Sequence, residues 1–219
     1  MSLVDYEQRD GIAVLRLNAP PVNAITFAVL DELRAAVRRA NDAPEVRGLI
    51  ITGTDRLFSA GADVTLLRDG DPVQTSRAFQ EAFQEVEDSA KPVLARVMGN
   101  VFGGALELAM ACHFRVCAPG SRFAMPEVKL GIVPGAGGTQ RLPRLIGAGP
   151  ALKMLLTGDA IKAEEALALG LIDAIADFDW IDKPIVRTRE RRRHASSPQS
   201  TLNPTRTGFV RSRVASPTA

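Results

Sequence analysis

The amino-acid sequence predicts an α/β fold, and three observations carry that prediction. Short apolar runs repeatedly precede Gly-rich or Pro-rich loops, and helical patterns follow those loops, so the chain reads as strand–loop–helix passages. Hydrophobic residues make up 46% of 219 positions while aromatics make up 5%, which calls for a large aliphatic core. With 18 Gly and 14 Pro, turns are numerous, as in α/β proteins.

The elements follow in order. Ile12–Leu17 (IAVLRL) is apolar and branched enough for a strand, and the prolines of Asn18-Ala-Pro-Pro end it. Thr26 is placed to cap a helix whose apolar positions are Phe27, Leu30, Leu33, Ala36 and Val37. Gly48–Thr52 (GLIIT) is a continuous apolar run, the pattern of a strand covered on both faces, and a small-residue loop follows it to Asp63. Asp69-Gly-Asp-Pro is a break, after which Phe79, Phe83 and Val86 mark an amphipathic helix. Val93–Met98 is the next strand.

From Gly99 to Arg144 the chain places two carboxylates among glycines. Gly103-Gly104 precedes Ala105–Cys112, a helical run apolar nearly all round and therefore buried, yet Glu107 stands inside it. A buried carboxylate needs partners, and the free N–H groups of a helix's first turn would supply them. A self-capped helix start and a catalytic acid are both compatible with that position. Glu127 follows Pro126 in a turn-rich segment read as strand, loop and a new helix near Gly137. Within it, Pro134-Gly-Ala-Gly-Gly lacks the ending of a nucleotide-binding P-loop, so a turn that brings a helix start close to other backbone is the favoured reading. Helices over 150–157 and 163–169 and a short extended piece, Leu171–Ala176, complete the ordered pattern.

Composition excludes several chemistries. His113 and His194 are the only histidines, too few for a His-based metal centre, and a Ser/His/Asp triad is disfavoured; no metal site is expected. His113, at a helix end, is expected to make a polar contact. Cys112 and Cys117 read as small buried apolar side chains. No apolar run is long enough to span a bilayer and no secretory pattern opens the chain, so a cytoplasmic protein without membrane association is expected. Charge is uneven. From Lys183 onward eight Arg and one Lys face only Glu190, a net +8, which within a chain of formal charge +2 leaves −6 for residues 1–182. That last stretch, rich in Arg, Ser, Thr and Pro, has no apolar periodicity and reads as a solvated basic tail without nucleic-acid motifs, so no nucleic-acid partner is expected. The domain reading is a core over 1–177 and a low-complexity tail over 178–219.

Several motifs, in order, resemble the crotonase family of enoyl-CoA hydratases and isomerases: PPVNA (20–24), SAGAD (59–63), GGALELAMAC (103–112), RFAMPEVKLGIVPGAGGTQRLPRLIG (122–147) and LTGDAIKAEEALALGLID (156–173). The CHFRV wording is similar to the hydratase portion of multifunctional fatty-acid oxidation enzymes. The resemblance implies a spiral of repeated ββα units, acyl-CoA substrates, homo-oligomers built from trimers (trimer or hexamer), and no cofactor beyond the coenzyme A of the substrate. It implies that Ala60 and Gly104 supply the two N–H donors of an oxyanion hole. Glu107 and Glu127 would act on one water, and Ala60, Gly61, Ala62 and Asp63 would line the thioester together with Gly104.

The expected reaction is hydration of 2-enoyl-CoA thioesters, because two carboxyl groups in different protonation states divide the proton transfers. Alternatives are 3-enoyl to 2-enoyl isomerisation, for which one base suffices, and a non-catalytic protein of the same fold. The last is motivated by the basic tail, which stands where the family carries C-terminal helices. Ala105 in place of a third glycine and His113 in place of Asp are minor departures.

Overall fold

The computed structural model describes residues 2–178. The expectation of a solvated tail falls, apart from Phe178, outside the described residues.

The chain opens with a hairpin: β1 (Val4–Arg9) runs antiparallel to β2 (Ile12–Leu17) through Asp10-Gly11. Both turn residues have positive φ, 49° and 80°, the geometry that an Asp-Gly hairpin turn supplies. β1 was not anticipated, because its charged residues mask a strand alternation. β3 (Ala24–Ile25) then leads through Thr26 into α1 (Phe27–Asp42), and the Thr26 hydroxyl accepts from Val29 N as expected of an N-cap. β4 (Gly48–Thr52), β5 (Gly61–Ala62), α2 (Val64–Asp69) and α3 (Pro72–Glu87) follow. Asp71 caps α3 with Pro72 in its first turn, so the expected break is a helix start.

The second half comprises β6 (Val93–Val97), β7 (Asn100–Phe102), α4 (Gly104–Ala111), β8 (Phe114–Cys117) and β9 (Arg122–Ala124). A 3-10 helix, Pro126–Leu130, precedes α5 (Gly138–Ile146), α6 (Ala148–Thr157), β10 (Ile161–Lys162), α7 (Ala163–Leu169) and β11 (Ala174–Ile175). Glu127 therefore lies on a helical turn rather than in an irregular loop. α6 starts two residues ahead of Pro150 because a proline in the first turn has no intrahelical N–H to lose.

Six strands form one sheet in the order β1-β2-β4-β6-β8-β11, parallel from β2 onward. Parallel neighbours require crossovers, and α1, α3 and α4 supply them. Two small sheets, β10-β9-β7 and β3-β5, hold the remaining strands of the described residues. The aliphatic core expected from composition runs from Leu15, Leu17, Leu49 and Ile51 on the main sheet to Leu33, Phe83 and Leu106 on the helices. Every residue of α4 is buried.

The far end of α4 is tied down by Arg115, which is 2% exposed. Its guanidinium donates to the carbonyls of Cys112 at 2.5 Å and Leu171 at 2.9 Å, and more weakly to Ala109 and His113. Asp173 accepts from Arg115 N at 2.7 Å and faces its guanidinium at 3.4 Å. His113 Nδ1 accepts from Val93 N, the polar contact expected of it. Both cysteines are free and buried.

Candidate active site

Two motifs that lie far apart in sequence, PPVNA and SAGAD, form a single unit. β3 and β5 pair in parallel, Ala24 opposite Gly61 and Ile25 opposite Ala62. Buried Asn23 donates to Phe58 O at 3.2 Å, and the Ser59 hydroxyl donates to Asn23 O at 2.6 Å while accepting from Gly61 N at 3.0 Å. Asp63 N donates to Ile25 O at 3.0 Å, and its carboxylate caps α2 by accepting from Thr65 N and Thr65 Oγ1. Those two bonds hold the Asp63 carboxyl below its ordinary range.

This unit corrects one expectation. Ala60 N already donates to Val22 O at 2.9 Å, so it is not the donor that faces the helix start. Because strand N–H groups alternate in direction and Asp63 N turns toward β3, Ala62 N turns the other way. There it meets Gly104: a Cβ on Gly104 would stand 2.9 Å from Ala62 N. Ala62 and Gly104 are thus the adjacent N–H pair, and Gly104, as the first residue of α4, has no intrahelical partner for its N–H. Glycine is required on both sides of this approach, since Gly61 has φ +93° and a Cβ there would lie 3.0 Å from Phe102 O.

Glu107 points from the first turn of α4 and is 3% exposed. Its partners are not the N–H groups of its own helix. Oε1 accepts from Ala136 N at 2.9 Å and Gly138 N at 2.8 Å, at the start of α5. The Pro134-Gly-Ala-Gly-Gly turn therefore cradles a carboxylate of this chain. A Cβ at Gly138 would lie 2.9 Å from that oxygen and 2.5 Å from Met125 Cε. Burial and, less strongly, the Glu127 charge raise the Glu107 carboxyl while the two N–H donors and Arg141 pull it down, and the balance leaves it at about 7.

Glu127 is 8% exposed and lies against Gly103, whose Cβ would come within 3.0 Å of Glu127 Oε1. Gly103 has φ 51° and ψ −125°, a conformation only glycine adopts readily. Burial raises the Glu127 carboxyl, its own backbone N–H lowers it, and Oε2 is buried with no hydrogen-bond partner. The result is two buried carboxyl groups within electrostatic reach of each other, beside the N-terminus of α4 and the Ala62–Gly104 pair. Among the described residues no cluster of three or more His, Cys, Asp or Glu is arranged to hold a metal ion, and no helix is long and apolar enough to cross a membrane.

The family model for enoyl-CoA hydratase/isomerase matches residues 7–199. The chain belongs to that family. Within the enoyl-CoA hydratase/isomerase family it is 45% identical over 175 residues to a crotonyl-CoA hydratase of Syntrophomonas wolfei, covering 77% of this chain and 67% of that one. It is 42% identical over 171 residues to a peroxisomal fatty acid beta-oxidation multifunctional protein of Arabidopsis thaliana, covering 76% of this chain and 24% of the relative. The chain thus spans about a quarter of the length of such multifunctional relatives. A solved enoyl-CoA hydratase from Thermoplasma volcanium superposes with a TM-score of 0.77 at 35% identity, over 81% of this chain and 73% of that one. The crotonase fold expected from the sequence is shown. The family match runs to residue 199, past the boundary set at 177 between core and tail.

Sequence reasoning placed Ala62 in the thioester-lining loop but not as an N–H donor, and it missed Ala136, Gly138 and Arg141. The signal for two of them was in view, in a Gly-rich turn without the ending that a phosphate-binding loop needs.

Proposed function

We propose that this chain adds water across the C2=C3 bond of 2-enoyl-CoA thioesters. The observation that carries the reading is the pair of buried carboxyl groups in unlike surroundings, Glu107 held by two backbone N–H groups and Glu127 with an unpartnered oxygen.

The thioester oxygen would lie between Ala62 N and Gly104 N, beside the loop of Ala60, Gly61 and Asp63. As water attacks C3, negative charge moves onto that oxygen, and each fixed donor stabilises it by ~3 kcal/mol. Glu107, whose ionised form is favoured by Ala136 N, Gly138 N and Arg141, takes the proton from water. Glu127 carries the proton delivered to C2. The C2=C3 π bond and the O–H bonds of water and of Glu127 break, the C3–O, C2–H and Glu107 O–H bonds form, and the pair ends with the one proton it began with. Protonation of Glu127 also removes the repulsion that raises Glu107, so a singly protonated pair is the stable state near neutrality. Coenzyme A enters as part of the substrate. The homo-oligomer implied by the family resemblance belongs to the same reading, and sedimentation of the purified chain tests it.

Loss of the enoyl-thioester absorbance with crotonyl-CoA and a longer 2-enoyl-CoA tests the activity. Glu107→Gln and Glu127→Gln should each lower kcat by ~10²–10⁴-fold. A folded wild type without turnover on either substrate defeats the hydratase reading; turnover of 3-enoyl substrates alone would replace it with isomerisation.

A further inference from the structure

The carbonyl of Gly135 lies where α3 meets the turn that holds Glu107. The Ser76 hydroxyl donates to it at 2.7 Å, as does Gln80 Nε2 at 2.7 Å, and Gln80 Nε2 also reaches Ser76 Oγ at 2.9 Å. Four residues apart on α3, the two side chains share one face of the helix. The N–H of the same peptide unit is Ala136 N, one of the two donors to Glu107 Oε1. Because a peptide is planar, whatever fixes its carbonyl also fixes the direction of its N–H. Donors on the carbonyl additionally polarise the amide, which strengthens its N–H as a donor.

The approach is close: a Cβ at Gly135 would stand 3.2 Å from Ser76 Oγ. The following carbonyl, Ala136 O, accepts from Arg141 Nη1 at 2.8 Å, and Arg141 is paired with Glu87 of α3 at 2.8 Å. The Glu107 cradle is therefore held from α3 at two successive carbonyls.

We propose that Ser76, supported by Gln80, is a positioning residue for Glu107, acting through the Gly135–Ala136 peptide. Its kinetic consequence rests on the hydratase reading; its effect on the Glu107 carboxyl does not. The charged groups that act on Glu107 are Glu127 on the 3-10 helix and Arg141 on α5, with Glu87 on α3 behind Arg141. Replacing Ser76 or Gln80 leaves all three in place.

The test uses Ser76→Ala, Ser76→Thr, Gln80→Ala and the Ser76→Ala/Gln80→Ala double variant. Carbon-13 NMR titration of the Glu107 carboxyl, assigned by its loss in Glu107→Gln, is read beside kcat and KM. In the double variant Glu107 should titrate roughly 0.5–1 pH unit higher, since donation to its ionised form is weakened. Gln80→Ala, at an exposed position, should give a smaller shift in the same direction, and Ser76→Thr, which keeps the hydroxyl, should remain near wild type. The double variant should lose kcat about tenfold with KM within about twofold, and lose nothing further in the Glu107→Gln background. Unaltered Glu107 titration in the double variant overturns the proposal, as does an equal kcat loss with Glu107 already replaced. Absence of wild-type turnover would defeat the hydratase reading alone, because the NMR titration decides the positioning role without substrate.

Discussion

Glu107 and Glu127 are both buried, yet they are kept in opposite ways. Around Glu107 the chain brings two N–H donors to one oxygen and an arginine nearby, all from α5 and the turn before it. Around Glu127 it provides a left-handed glycine and leaves Oε2 without a partner. Burial alone would make both groups neutral acids. On the proposed hydratase reading, donors placed at one and withheld from the other make Glu107 the holder of the charge and Glu127 the holder of the proton when the pair carries a single proton.

The largest expected departure from that comparison is thermodynamic. Glu107 is raised from an ordinary 4.5 to about 7, so the folded state binds its proton more tightly than the unfolded chain. The resulting stability is fully present below pH 4.5 and is lost as pH rises through about 7. A shift of that size corresponds to ~3 kcal/mol. Across this window the unfolding free energy from urea denaturation should fall by about that much more in wild type than in Glu107→Gln, whose profile is flatter. Parallel curves would mean that the Glu107 proton is not held by the fold.

Next in size, Gly138→Ala forces a methyl group toward Glu107 Oε1 and Met125, and should lower kcat ~100-fold while the fold persists. A smaller effect is expected at Gly131, which has φ +73° and nothing within 4 Å of an added Cβ. Its change to Ala should cost about 1–2 kcal/mol of stability through backbone strain and leave kcat unaltered. If Gly131→Ala were instead the more damaging to kcat, the cradle would not be the sensitive element. Smallest of all, breaking the exposed Lys129–Asp159 pair with Lys129→Ala should change stability by less than ~1 kcal/mol by urea denaturation, with no effect on turnover.

Much of this arrangement was legible in the sequence because periodicity and caps are local. β2 and β4 fall where IAVLRL and GLIIT place them, α1 begins at its Thr26 cap, and α4 is buried on every side as its nearly all-apolar composition demands. What escaped was set by pairing across distance. Whether Ala60 or Ala62 presents its N–H to Gly104 depends on the register of β5 against β3, two-residue strands with no pattern of their own. Glu107 was expected to draw on its own helix start, whereas its partners come from residues about thirty positions later. The edge strand β1 went unrecognised because its charges belong to solvent and its pairing to the Asp10-Gly11 turn.

Arg115 carries a consequence in time. The carbonyls at the end of α4 find donors in its guanidinium, and that guanidinium is seated by Leu171 and Asp173, which lie 56 and 58 residues further along the chain. As a nascent chain leaves the ribosome, the helix bearing Glu107 is therefore made long before it can be seated. The far end of α4 gains its full set of partners only once residues 171–173, just ahead of β11, have been made.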